Sequence, residues 1–138
     1  MTALQRAILD RKIEFMRNSL TEIERIVSEG QEKYLSDRIS QCVLERQIER
    51  LVEAAVDAGA HILKQTYKIS PSTYRGTFIE LGQQGVIDPQ LAQDLAPAAG
   101  LRNVITHLYD EVDPKRVFQG AQNAIRFFPL FIQTIAKM

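Results

Sequence analysis

Apolar residues recur at helical spacing almost from the first residue. Leu9, Ile13, Met16, Leu20, Ile23 and Val27 follow one another at intervals of four and three. At 100° per residue this draws a narrow apolar seam down one helix face. The seam predicts a helix over about Ala3–Glu29, stopped by Gly30, a residue type suited to the left-handed backbone that commonly ends a helix. A second seam runs through Leu44, Ile48, Leu51, Ala55, Ala58 and Ile62, with Val52, Gly59 and Leu63 beside it. It predicts a helix begun by Ser36 or Asp37 and ending near Tyr67. Thirty residues of helix reach roughly 45 Å, so two such helices side by side predict an elongated bundle.

Proline and glycine punctuate the second half of the chain. In "KISPSTYRG" the Ser70-Pro71 step ends one element, and Ser72 or Thr73 can cap a short helix running through Leu81. In "GQQGVIDPQL", Asp88-Pro89 pairs an N-cap acceptor with a proline at the first helical position, and Asp113-Pro114 repeats the arrangement. The last seam is Val117, Ala121, Ala124, Phe128, Phe131 and Ile135. Pro129 lies inside it, and its missing N–H predicts a kink. Alternating β-branched runs and Asn-Gly or Asp-Gly turns are absent. The expected fold is all-α: residues 1–138 as a single domain, an antiparallel bundle of four main helices plus a short crossover helix. The aromatic stretch "RFFPLFI" exceeds the needs of one protomer's core and points to a homodimer.

Composition narrows the function by exclusion. Lys and Arg number 17, and so do Asp and Glu. That balance argues against broad electrostatic binding of duplex DNA while leaving room for a small local site. The chain has no run of about 18 apolar residues and begins with the charged segment "MTALQRAILDRKIEF". Cys42 is alone, so no intrachain disulfide is possible, and it reads as a small core residue. Together these features predict a cytoplasmic protein. Zinc-ligand spacing, a Gly-rich phosphate loop, a dinucleotide fingerprint and a Gly-x-Ser-x-Gly elbow are all missing, so no metal or cofactor is expected.

The remaining chemistry gathers in "GLRNVITHLYDEVDP", residues 100–114, which holds Arg102, Asn103, Tyr109, three carboxylates and His107, one of only two histidines. On an ideal helix Asn103 shares a face with His107, and Arg102 with Tyr109, but Arg102 and His107 point about 140° apart. Three arrangements would bring them together: an irregular helix after Pro97 and Gly100, an arginine that bends round, or a second copy of the helix across a two-fold axis. Histidine can take or give a proton near pH 7, and arginine stays charged and forks onto phosphate oxygens. These two groups suffice for metal-free RNA cleavage. A base removes the 2′-hydroxyl proton, that oxygen attacks the adjacent phosphorus, and the cation holds the developing charge. DNA lacks the hydroxyl, so the chemistry selects RNA. The plainer reading is a solvated, salt-bridged helix surface.

"LRNVITHLYDEVDP" resembles the signature of the HEPN superfamily and, within it, the HepT-like toxins. Their Arg-x-x-x-x-His-x-Tyr motif falls here on Arg102, His107 and Tyr109, with Asn103 in its usual place after the arginine. The similarity continues upstream through "VDAGAHILKQTYKISPSTYRGTFIELGQQGVIDPQLAQDL" and covers the chain from about Leu44 to the end. Pro97, Gly100 and Pro129 are odd residues for long straight helices. The resemblance implies a homodimeric bundle whose motif helices meet at the two-fold axis. It also implies a metal-independent ribonuclease acting as the toxin of a toxin–antitoxin pair. Its implied partner is a minimal nucleotidyltransferase (MNT) antitoxin that attaches AMP to the motif tyrosine, here Tyr109. The alternative class is an inert helical dimer that docks such a nucleotidyltransferase.

Arg102 and His107 are therefore the candidate catalytic residues. Asn103 is a supporting candidate, as is Asp57, which lies four before His61 and could pair with it on the helix surface. Arg75, Lys115, Arg116 and Arg126 are the candidate RNA contacts. Tyr74 and Arg75 are expected to anchor the crossover turn.

Overall fold

The first seam becomes α1 (Ala3–Ser28), opened by a reciprocal cap. The Gln5 N–H donates to Thr2 Oγ1 at 3.1 Å, and the Thr2 N–H donates to Gln5 Oε1 at 2.9 Å. The computed structural model describes residues 1–108, 110 and 112–138. Its order continues through α2 (Gln31–Leu35), α3 (Arg38–Ile62), α4 (Tyr74–Gln83), α5 (Pro89–His107) and α6 (Pro114–Ala136), with no strand among the described residues. The expected all-α bundle is thus observed, with α1, α3, α5 and α6 as its main helices and α4 in the crossover. No described helix is long and apolar enough to cross a membrane.

The polar starts behave as their chemistry dictates. Asp37, Thr73, Asp88 and Asp113 each accept backbone N–H groups at the head of α3, α4, α5 and α6. Gly30 sits at φ +94°, a conformation that penalises a side chain. α3 does not end cleanly: it widens into a π-helical turn over Leu63–Tyr67, which Lys68 closes at φ 59°.

Side-chain pairs across the bundle set the helix directions. Gln5 meets Gln65 and Lys12 meets Asp57, so α1 runs antiparallel to α3. Glu49 meets Thr106 and Glu53 meets Arg102, so α3 runs antiparallel to α5. Small residues allow the closest crossings. A Cβ at Gly59 would lie 2.7 Å from Leu81 Cδ1, and one at Gly82 would lie 2.6 Å from Ala92 Cβ.

Several expectations need correction. The short helix α2 has no periodicity to announce it; Tyr34 pins it, 1% exposed, with its ring 5.3 Å from that of Phe118. Cys42 is exposed rather than in the core. The inward position is its neighbour Gln41, whose amide donates to the Tyr34 and Leu35 carbonyls at 3.1 and 3.2 Å and so completes the end of α2. Helix α5 runs unbroken through Pro97 and Gly100. Pro97 and Gln93, whose carbonyl loses its usual partner, are both exposed residues. Within "RFFPLFI", Phe128 and Phe131 pack edge-to-face with Phe78 at 6.2 and 6.1 Å and with each other at 6.4 Å inside one protomer, and only Leu130 is well exposed among the apolar side chains. That stretch is therefore largely spent on the protomer's own core.

Gly82→Ala should force apart α4 and α5, because Ala92 and the Pro89 backbone leave its new methyl nowhere to go. The expected loss is about 2 kcal/mol, read as a lower urea midpoint with an unchanged slope.

Candidate active site

Arg102 is held on three sides. Its Nη2 donates to Glu53 Oε1 at 3.1 Å, its Nη1 donates to Asn103 Oδ1 at 3.3 Å, and its guanidinium lies 4.5 Å from the centre of the Tyr74 ring. Only 16% of its side chain is exposed. One turn further along α5, Thr106 Oγ1 donates to Glu49 Oε2 at 2.8 Å. These two rungs exist because Glu49 and Glu53 are four apart on α3 and meet residues four apart on an antiparallel neighbour. The guanidinium is set in place by an anion and an aromatic face before any ligand arrives.

His107 is the last residue of α5 and is exposed. Among the described residues, no hydrogen bond or ion pair joins it to Arg102. With α5 regular, the irregular-helix route between them is gone. Arg102 turns toward α3 and α4, so it does not bend round toward His107 either. Neither a break in α5 nor the direction of Arg102 brings the two side chains together within the protomer. Tyr109 lies outside the described residues.

The remaining candidates are scattered. Asp57 does not pair with His61: the packing of α1 on α3 brings the Lys12 ammonium to its carboxylate at 3.1 Å instead. Nε2 of the half-buried His61 has no hydrogen-bond partner among the described residues. Arg75 is exposed beside Tyr74, and it is Tyr74 that ties the start of α4 to α5 through Arg102. Lys115 and Arg116 are exposed on the first turn of α6, and Arg126 lies over the Phe127 ring at 5.1 Å. Arg116 also borders a recess of about 150 Å³ between α5 and α6, floored by Leu101, Gly120 and Phe128. Among the described residues no group of three His, Cys, Asp or Glu side chains could hold a metal ion.

Sequence reasoning missed Glu53, Glu49 and the use of the Tyr74 ring. The available signal was the pair of carboxylates four apart beside the apolar seam of α3, where uncompensated charge at a helix–helix edge calls for a partner.

An all-helical bundle that carries Arg-x-x-x-x-His at the C-terminal end of one long helix defines the class of protein. Comparison with known families places the chain within that class. The family model described as "Ribonuclease HepT-like" matches residues 16–135. A tRNA nuclease HepT of Aphanizomenon flos-aquae is 32% identical over 135 residues, 98% of this chain and 92% of that protein. An mRNA nuclease HepT of Shewanella oneidensis is 27% identical over 128 residues, 93% of this chain and 96% of that one. The structure of a tri-AMPylated Shewanella oneidensis HEPN toxin in complex with its MNT antitoxin superimposes with a TM-score of 0.87 at 26% identity, covering 100% of both chains. The chain belongs to the HepT-like ribonuclease family of HEPN proteins.

Glu53→Ala should leave a partly buried cation without its anion and cost about 1–2 kcal/mol. Glu53 is itself 36% exposed in its side chain, so solvent screens the pair. A double-mutant cycle with Arg102→Met, followed by urea unfolding, should return a coupling of about 1 kcal/mol. Strict additivity would mean that the contact contributes no coupling.

Proposed function

We propose that this chain is the toxin of a HEPN/MNT toxin–antitoxin pair and a metal-independent endoribonuclease acting in the cytoplasm. The observation that carries the reading is an intact Arg102–His107 pair on the motif helix of a chain that matches HepT nucleases along nearly its whole length. His107 takes the 2′-hydroxyl proton, the freed oxygen attacks phosphorus, and the 5′-oxygen leaves with a proton. The ends are a 2′,3′-cyclic phosphate and a 5′-hydroxyl. Arg102 holds the charge that builds on the phosphate oxygens, and Asn103 steadies its guanidinium.

The active unit is a homodimer in which Arg102 of one protomer serves His107 of its partner. The support is geometric: Arg102 is fixed toward α3 and α4, while His107 ends α5 in the open. One two-fold axis would complete two sites at once.

The antitoxin is a nucleotidyltransferase that adds AMP to Tyr109, a reading supported by the AMPylated state of the Shewanella toxin. Tyr109 follows the motif arginine by seven residues and lies two past His107, the last residue of α5. An added phosphate there competes with RNA for the arginine by charge and volume. The inert-dimer alternative draws on one observation, the occupation of Arg102 by Glu53, and RNA cleavage by the purified chain decides between the two.

His107→Ala should lower RNA cleavage at least ~100-fold and Arg102→Ala comparably, with the parent fully active in EDTA and leaving cyclic phosphate ends. Requirement for a divalent ion would remove the mechanism. Mixing the two inactive variants should restore about a quarter of parental activity if each site is built from both protomers, because a mixed dimer regains one intact site; a dead mixture would assign each site to a single chain. Incubation with the partner nucleotidyltransferase and ATP should add AMP in whole units by mass, and Tyr109→Phe should block the addition while keeping much of the cleavage.

A further inference from the structure

A groove of about 310 Å³ runs between α1 and α3, bordered by Lys12, Phe15, Arg46, Arg50, Glu53 and Asp57. Its charges are unevenly satisfied. Asp57 is taken by Lys12 at 3.1 Å, and Glu53 by Arg102 at 3.1 Å. Arg46 and Arg50, four apart on one face of α3 and both exposed, enter no ion pair among the described residues. Arg50 is three residues from Glu53 and could have paired along the helix, but that carboxylate is engaged by Arg102. The groove thus presents two guanidinium groups with no ion pair among the described residues, about 6 Å apart along the axis, and its border includes the carboxylate that touches the motif arginine.

The opposite wall supplies an aromatic face. Phe15 lies off the core seam of α1 and is 37% exposed, with the Arg11 guanidinium 5.8 Å from its ring centre. Arginines for phosphates and a solvent-facing ring for a base are the two elements of a groove that tracks single-stranded nucleic acid. We propose that the α1–α3 groove guides single-stranded RNA to Arg102, with Arg46 and Arg50 on successive phosphates and Phe15 stacked on a base. Such a track tolerates any sequence, because every base has a face to stack and every phosphate has the same charge. The chain's zero net charge accords with a track this local. The proposal rests on reading the chain as a ribonuclease and extends that site outward.

The test uses full-length protein and a fluorescent single-stranded RNA of about twelve nucleotides, with binding read by anisotropy in the His107→Ala background so that no cleavage intervenes. Arg46→Gln with Arg50→Gln should weaken binding about tenfold or more and flatten the salt dependence by about 1.4 in log–log slope, the release expected from two lost phosphate contacts. Phe15→Ala should weaken it about tenfold without changing the slope. Arg46→Lys with Arg50→Lys should keep the slope, and the exposed positions should leave the melting temperature close to the parent's. In the otherwise wild-type chain, cleavage of a dinucleotide too short to enter the groove should be unaffected by the same changes. Unchanged affinity and slope in the double variant would overturn the groove even if the protein cuts RNA. Loss of binding to an added MNT-type nucleotidyltransferase with RNA affinity intact would overturn it too, making this face a protein dock. Groove-dependent binding by a parent chain that never cleaves would sink the nuclease reading and leave the RNA track standing.

Discussion

An arginine that is mostly buried cannot shed its charge, so the fold must supply an anion to it or leave a desolvated cation in place. Glu53 is that anion and the Tyr74 ring is the floor beneath it. The contact ties three helices together: α5 brings Arg102, α3 brings Glu53 and α4 brings Tyr74. It aims the motif arginine before a substrate is present, so the cost of ordering a long side chain is met during folding. The carboxylate also sets a threshold. A phosphate must either share the remaining N–H groups of the guanidinium or displace Glu53, which favours a strong, bidentate anion over a weak one.

The bundle around this contact is arranged to hold a register. Two rungs four residues apart fix α3 against α5, and glycines at the α3–α4 and α4–α5 crossings let α4 sit close enough for Tyr74 to reach under the arginine. The aromatic trio of Phe78, Phe128 and Phe131 locks α4 to α6 from the other side. His107, by contrast, projects exposed from the last turn of α5, with no hydrogen bond or ion pair among the described residues. One catalytic candidate is built in and the other is left open.

Much of this was legible from local patterns. The seams located α1, α3 and α6 to within a few residues, and the Asp-Pro steps marked the starts of α5 and α6, because periodicity and capping depend on neighbours three and four apart. The short α2 is invisible to such patterns because a five-residue helix has no period to read and is held by the burial of Tyr34. Cys42 reads as buried because a thiol is small, but the inward place belongs to Gln41, whose amide satisfies the carbonyls at the end of α2. Spacing pairs Asp57 with His61, although the nearer charge belongs to another helix.

By itself the sequence determined the long helices, their capped starts and the presence of an Arg-x-x-x-x-His helix, since each depends on residues within about a turn of one another. Only the tertiary structure decided what those residues face. Glu53 lies 49 positions from Arg102 and Asp57 lies 45 from Lys12, and such partners are chosen by the rotation and register of packed helices, which no local spacing encodes. The same packing left Arg46, Arg50 and Phe15 open beside the motif while closing Glu53 and Asp57 with cations. Charge composition counts these groups alike; the fold separates those paired with an opposite charge from those with no ion pair among the described residues.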